Sequence, residues 1–219
     1  MPKIYASHRS RATRNFWLAH EIGLTLELVP VLQAYRLADP QAPDAPLNTL
    51  SPAFLALSAA GAIPVLEDEG LILTESLAIN LHLARKYGGL LGPQDLSESA
   101  LMEQWTLFAQ SSIEPSALAI QTLYGQKRTE TPEGAAELQQ HVAALRRPFA
   151  VLDRYLAEHP YLVGDRFSVA DINLGEVVRY SQAHSPLAEE FPTLFGWLKT
   201  QQSRPAFQQM WAAREAEPV

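Results

Sequence analysis

The chain carries two hydrophobic rhythms, one after the other. Up to Tyr87, short apolar runs alternate with helical spacing. Lys3–Ser7 reads as a strand, Ala12, Phe16, Ala19 and Ile22 recur at steps of four and three on a helix, and Leu26–Val31 reads as a second strand. Gly23 suits the position just past that helix, and strand–helix–strand in so short a length fits a parallel unit. Ala38–Thr49 is rich in Pro and polar residues and reads as loop; Ser51-Pro52 opens a short helix carrying Phe54 and Leu57. Ala62–Glu67 and Leu71–Thr74 form two strands around an acidic turn ending at Gly70, and a helix follows over Glu75–Tyr87.

Past Gly88 the periodicity stops until Ser99, and after that strand signals vanish. Leu101, Trp105, Phe108, Ser112 and Leu118 to Tyr124 predict one long helix, bent where Pro115 removes an internal donor. Thr131-Pro132 opens another, with Leu138, Val142, Leu145, Phe149, Leu152 and Leu156 on one face and Pro148 expected to kink it. Ser168 and Asp171 have capping-box spacing, with Phe167 placed to staple onto Ile172. Phe191–Thr200 and Arg204–Arg214 read as two closing helices. The expected architecture is an α/β domain of order βαβαββα over residues 1–87, a linker over 88–98 and an all-α domain over 99–219.

Composition narrows the function. Hydrophobic content of 47% with 19% charged residues describes an ordinary globular protein. A net charge of −7 argues against nucleic acid, which needs a basic footprint. No apolar run approaches the ~18–20 residues of a membrane span, and without a secretory pattern the cytoplasm is the expected compartment. The absence of cysteine rules out a disulfide, a thiolate metal site and a protein-thiol nucleophile. The six histidines lack metal-ligand spacing, so no metal is expected.

The candidate chemistry gathers at Gly61–Asn80. Pro64 stands where a strand begins, and Ile63-Pro64 is a place where a cis bond can be used, turning the backbone groups of Ile63 outward toward an extended peptide. Glu75-Ser76 follows at a helix N-terminus, where free N–H groups attract a carboxylate. A strand entering through Ile63-Pro64-Val65, a turn, and Thr74-Glu75-Ser76 before a helix resembles the thioredoxin-like domain of the glutathione S-transferases. The helical second half, with its capped helix after Gly164-Asp165, is similar to theirs too.

The resemblance implies glutathione as co-substrate, held by Ile63, Pro64, Glu75 and Ser76, with the γ-glutamyl end at Glu75-Ser76. It also implies a group after the first strand that holds the glutathione sulfur as thiolate, since a free thiol with pKa near ~8.5 is mostly protonated at neutral pH. The loop offers Ser7, Ser10 and Thr13; Ser10 is the choice here, with merely capping the helix as its bland alternative, and it places the chain in a serine-using, bacterial-type branch. Arg9, Arg11 and Arg14 crowd the same loop, either steering the anionic tripeptide, Arg11 foremost, or forming a solvated basic rim. Ala62 stands where the family often has Lys or Gln, so the glycyl carboxylate must be recognised elsewhere.

A small apolar electrophile is the implied second substrate, in a pocket between the domains for which Trp105, Phe108, Ser112 and Tyr124 are candidates. Trp105 and Phe108 fit a core role better. A homodimer is implied as well. The rival readings are a reductase of disulfides or peroxides using two glutathiones, and a non-catalytic relative serving as a binding module.

Overall fold

The computed structural model describes residues 1–218. Contacts divide the chain into two units: one runs to Gly89 and regains the segment from Pro205, the other spans Leu90–Arg204. The sequence pattern had put that closing segment in the helical half.

The first unit is built on a four-stranded sheet of order β2-β1-β3-β4. β1 (Lys3–Ala6) pairs in parallel with β2 (Glu27–Pro30), with Ile4 opposite Leu28, and antiparallel with β3 (Val65–Asp68), with Ile4 opposite Leu66. β4 (Leu71–Thr74) returns antiparallel through Glu69-Gly70, whose φ angles of 51° and 87° are those of a tight hairpin turn. Two helices flank these strands: α1 (Thr13–Ile22), which ends at Gly23 with φ 65°, and the short α2 (Pro52–Leu55). α3 (Ser76–Tyr87) follows β4.

Asp68, at the end of β3, pins the far half of α3. It bonds His82 Nε2 at 2.8 Å, accepts from Lys86 Nζ at 2.9 Å and accepts from the Tyr87 hydroxyl at 2.8 Å. Burial acts to raise its pKa, but these bonds outweigh burial and hold it at about 2.

In the second unit, α4 (Leu96–Phe108) is capped by Asp95, which accepts the Glu98 N–H. The expected single helix divides: a π-helical turn over Ala109–Ile113 precedes α5 (Glu114–Gly125). Pro115 thus falls in a first turn, where its missing N–H has no partner to lose. α6 (Pro132–Glu158) is one unbroken element through Pro148, so the expected kink does not divide it. Pro148 and its neighbours Leu145, Phe149 and Leu152 are buried, and that packing offsets one lost backbone bond.

Phe149 meets Phe191 and Phe195 edge-on at 5.6 and 5.9 Å. α7 (Val169–Val178) is buried on every side; its Glu176 is paired by Arg179 Nε at 2.7 Å. The short α8 (Pro186–Glu190), which the periodicity did not announce, and α9 (Pro192–Gln202) complete this unit. α10 (Pro205–Ala216) belongs to the first unit, where it packs on α1 with the rings of Phe207 and Trp17 edge-to-face at 5.0 Å. With α3 and α10 both against it, α1 is buried from Thr13 to Ala19. No helix of the described residues is long and apolar enough to cross a membrane.

Candidate functional site

The polypeptide leaves β1 at Ala6 and turns through Ser7–Ala12 before α1 begins. Ser10 therefore lies in the turn ahead of the helix, whose cap position is Ala12. Its hydroxyl donates to the Ser7 carbonyl at 2.7 Å and accepts the Ala12 N–H at 3.1 Å, so its one proton is spent inside the turn. Ser7 is buried, with its Oγ 3.4 Å from Gln33 Oε1. His8 lies against Phe16, ring centroids 4.6 Å apart.

The three arginines do not stay together. Arg11 is exposed, Arg9 turns toward the end of the chain, and Arg14 is on α1 with only 1% of its surface exposed. A solvated rim is thus the wrong description of Arg14: it points inward, and its Nη1 donates to Ser76 Oγ at 3.0 Å.

Ile63–Pro64 is a cis peptide, as the strand-entry proline suggested. Ile63 packs against the cluster of Val31, Phe54 and Val65. The ladder begins at Val65, later than the pattern indicated, because 62–64 form the approach to it. Just before, Gly61 has φ 60°, and a Cβ there would come within 2.8 Å of the Thr49 carbonyl, so only glycine fits. Ala62 is exposed and offers no polar group.

Glu75 and Ser76 form the N-terminus of α3, with Glu75 in the cap position and Ser76 the first helical residue. Glu75 has φ 66° and ψ 107°, a region that residues with a side chain rarely enter, and its carboxylate makes no cap bond. Ser76 is buried, and its carbonyl accepts from Asn15 Nδ2 at 2.9 Å. Asn15 Nδ2 also donates to Asn80 Oδ1 at 2.7 Å, and Asn80 Nδ2 donates to the Arg14 carbonyl at 3.1 Å.

This arrangement has a chemical consequence. Arg14 donates into the Ser76 oxygen, which leaves the serine proton free to be given to an anion. A buried guanidinium adds positive potential to that of the helix end, where the first N–H groups have no intrahelical partner. A carboxylate suits such a place. Arg14 was singled out in the sequence only as one of three loop arginines; Asn15 and Asn80, which join it around Ser76, were not. Their signal was two consecutive polar residues inside the apolar run of α1, and an asparagine one turn past Ser76.

In the helical unit, Trp105 is core, packed on Phe108 and Tyr155 at 5.8 and 4.9 Å between ring centroids. Phe108 is half-buried beside it, and Ser112 is exposed in the π turn. The Tyr124 hydroxyl lies 2.8 Å from His184 Nδ1, and burial lowers the pKa of His184. No group of three or more His, Asp or Glu side chains that could hold a metal occurs among the described residues.

Family models match on both sides of the chain: the glutathione S-transferase N-terminal domain over residues 4–93 and the glutathione S-transferase C-terminal domain over 108–205. Glutathione S-transferase 3 of Zea mays is 32% identical over 210 residues, covering 91% of this chain and 87% of the relative. The chain belongs to the glutathione S-transferase family. Among solved structures of the family, a glutathione S-transferase III in apo form shares 30% identity with a TM-score of 0.79, over 100% of this chain and 99% of that one. The theta class glutathione S-transferase from Xanthomonas axonopodis pv. citri, solved with glutathione bound, is 28% identical with a TM-score of 0.74 over 95% of each chain. The expected architecture, a thioredoxin-like α/β domain followed by an all-helical one, is that of the family.

Proposed function

We propose that this protein binds glutathione on its first unit and presents it, as the thiolate, to a small apolar electrophile. The observation that carries the reading is the N-terminus of α3. Glu75 holds a rare backbone conformation without capping its own helix, and Ser76 rests on the buried Arg14. In the proposed pose the γ-glutamyl carboxylate takes the Ser76 hydroxyl and the adjacent N–H groups, and Glu75 pairs the ammonium. The cysteinyl backbone lies along Ile63, with Pro64 shaping the edge, and Arg11 adds positive potential at the mouth. Ser10 turns its proton from the Ser7 carbonyl to the sulfur, which places the chain in the serine-using branch. A homodimer in the cytoplasm, taking part in detoxification without a metal, completes the proposal.

One observation favours a second reading. The Ser10 hydroxyl is bonded on both sides within its own turn, as it would remain in a glutathione-binding module without transferase chemistry.

The ultraviolet thiolate absorbance of bound glutathione against pH, in the native protein and in Ser10→Ala, separates them. The transferase reading expects a bound thiol titrating at least one unit below the free ~8.5 and returning toward it in Ser10→Ala. Bound glutathione with an unshifted thiol in both proteins supports the module.

A further inference from the structure

Arg9 and Arg36 stand on neighbouring turns of the first unit, linked through one glutamine: Gln33 Nε2 donates to the Arg9 carbonyl at 3.0 Å, and Arg36 Nη1 donates to Gln33 Oε1 at 3.1 Å. Both guanidiniums then reach the same short stretch beyond α10. Arg9 Nε donates to the Glu217 carbonyl at 2.7 Å and its Nη2 to the Glu215 carbonyl at 3.4 Å, while Arg36 Nη2 donates to the Pro218 carbonyl. The Glu217 carboxylate accepts the backbone N–H of Arg9.

Neither guanidinium forms an ion pair with an acidic side chain among the described residues. Their donors go to neutral carbonyl oxygens, although charged acceptors make roughly twice as strong a bond, and a planar fork suits a carboxylate best. The segment 215–218 therefore satisfies two cations by a second choice of acceptor.

We propose that Arg9 and Arg36 form a carboxylate-binding site for which residues 215–218 are an internal, displaceable occupant. The ligand is a small molecule carrying a carboxylate, bound beside the Ser7–Ala12 turn. It is either glutathione itself through its glycyl end, for which Ala62 offers nothing, or an anionic second substrate. The first source rests on the proposed function; the site itself does not. The segment acts as a brake: it must leave the arginines before the carboxylate arrives, so its removal raises affinity.

The test compares the intact chain with a chain cut after Arg214 and with Glu217→Ala, which spares the apolar face of α10. Calorimetry is run with glutathione and with its glycyl ethyl ester. Glutathione binding is expected to tighten on the order of tenfold in the cut chain, as for regaining one charge-assisted bond. It should tighten by less in Glu217→Ala and return to the intact value when Arg36→Ala is added to the cut. The ester is expected to gain nothing. An equal gain for the ester, which lacks the glycyl carboxylate, overturns the glycyl assignment; the site then belongs to an anionic second substrate only if a free carboxylate still binds it.

N-acetylglycine, followed by the Nε–H resonance of Arg9, probes the site without glutathione: it should shift that resonance saturably in the cut chain and far less in the intact one. If glutathione binds neither chain while N-acetylglycine still does, the functional reading falls and the site stands. If the cut leaves both glutathione and N-acetylglycine binding unchanged or weaker, the segment is a structural clasp and the proposal is overturned.

Discussion

Two helices of this molecule begin in opposite ways. α7 closes its own N-terminus. Ser168 and Asp171 make a capping box, with the Ser168 N–H and Oγ both on Asp171 Oδ2 at 2.9 and 3.0 Å, and the Leu162 N–H on Oδ1 at 3.0 Å. α3 does not: its cap residue contributes no side-chain bond, its backbone is held in a rarely used region, and a buried arginine supports its first serine from below. A helix that must only fold satisfies its end internally. A helix end left without a side-chain cap is available to something from outside. α3 tolerates this because it is anchored at its other end, where Asp68 gathers His82, Lys86 and Tyr87.

Exchanging the losses would break the comparison. Asp171→Ala removes the acceptor of three donors in a fully buried setting and is expected to cost about 3 kcal/mol or more. For a chain of this size that lowers Tm by roughly 10 °C, with glutathione affinity of the folded protein unchanged. Ser76→Ala should do the reverse: a smaller loss of stability, and glutathione affinity down roughly tenfold to a hundredfold. Differential scanning calorimetry and titration on both variants decide it. Glutathione affinity falling equally in both would show that the two helix ends do not divide folding from binding.

The two buried aspartates sharpen the contrast through pH. Asp68 receives bonds from Lys86 and His82, and its pKa is held at about 2, below its ordinary 3.8. Its contribution to stability is full above the unfolded value and disappears as pH falls from 3.8 through 2. Asp171 has only uncharged donors; burial pushes it up to about 6, against the lowering effect of the Leu162 and Ser168 bonds. Its contribution runs the other way, full below 3.8 and lost as pH rises through 6. Urea midpoints across pH should show Asp68→Asn about 2 kcal/mol less stable than the native chain at neutral pH, with the gap closing near pH 2. Asp171→Asn should remove a downward slope of stability between about pH 4 and pH 6. A native slope that survives in Asp171→Asn would mean that the carboxylate is ionised throughout.

These features were unequally visible in the sequence. The capping box of α7 is local, a matter of residues three apart, and Ser168 and Asp171 announced it. The strands and the proline at Ile63-Pro64 were equally local. The support under Ser76 is not: Arg14 is distant in sequence, and a basic residue at the start of a helix reads as solvent-facing until α10 is known to cover α1. That packing joins Trp17 to Phe207 across most of the chain, which no periodicity reports. Pro148 shows the opposite limit. Locally it marks a point where the helix can end, and with Leu145, Phe149 and Leu152 buried around it the helix continues as one element.

The smallest expected effect tests the strain at α3 directly. Glu75 is held at φ 66° and ψ 107°, where a Cβ is unfavourable by about 1–3 kcal/mol, while glycine enters freely. Glu75→Gly relieves that cost and adds about 0.5–1 kcal/mol of backbone entropy lost on folding, so a net stabilisation of about 1 kcal/mol is expected. The variant also loses the carboxylate proposed to meet the glutathione ammonium, so affinity should fall as stability rises. Glu75→Gln separates the two parts: it keeps the strained backbone and removes only the charge, and should weaken binding with little change in urea midpoint. Opposite movement of stability and affinity in Glu75→Gly is what a helix end shaped for a ligand requires. If Glu75→Gly instead lowers stability, the conformation is supported by bonds of its own and is not strain held for binding.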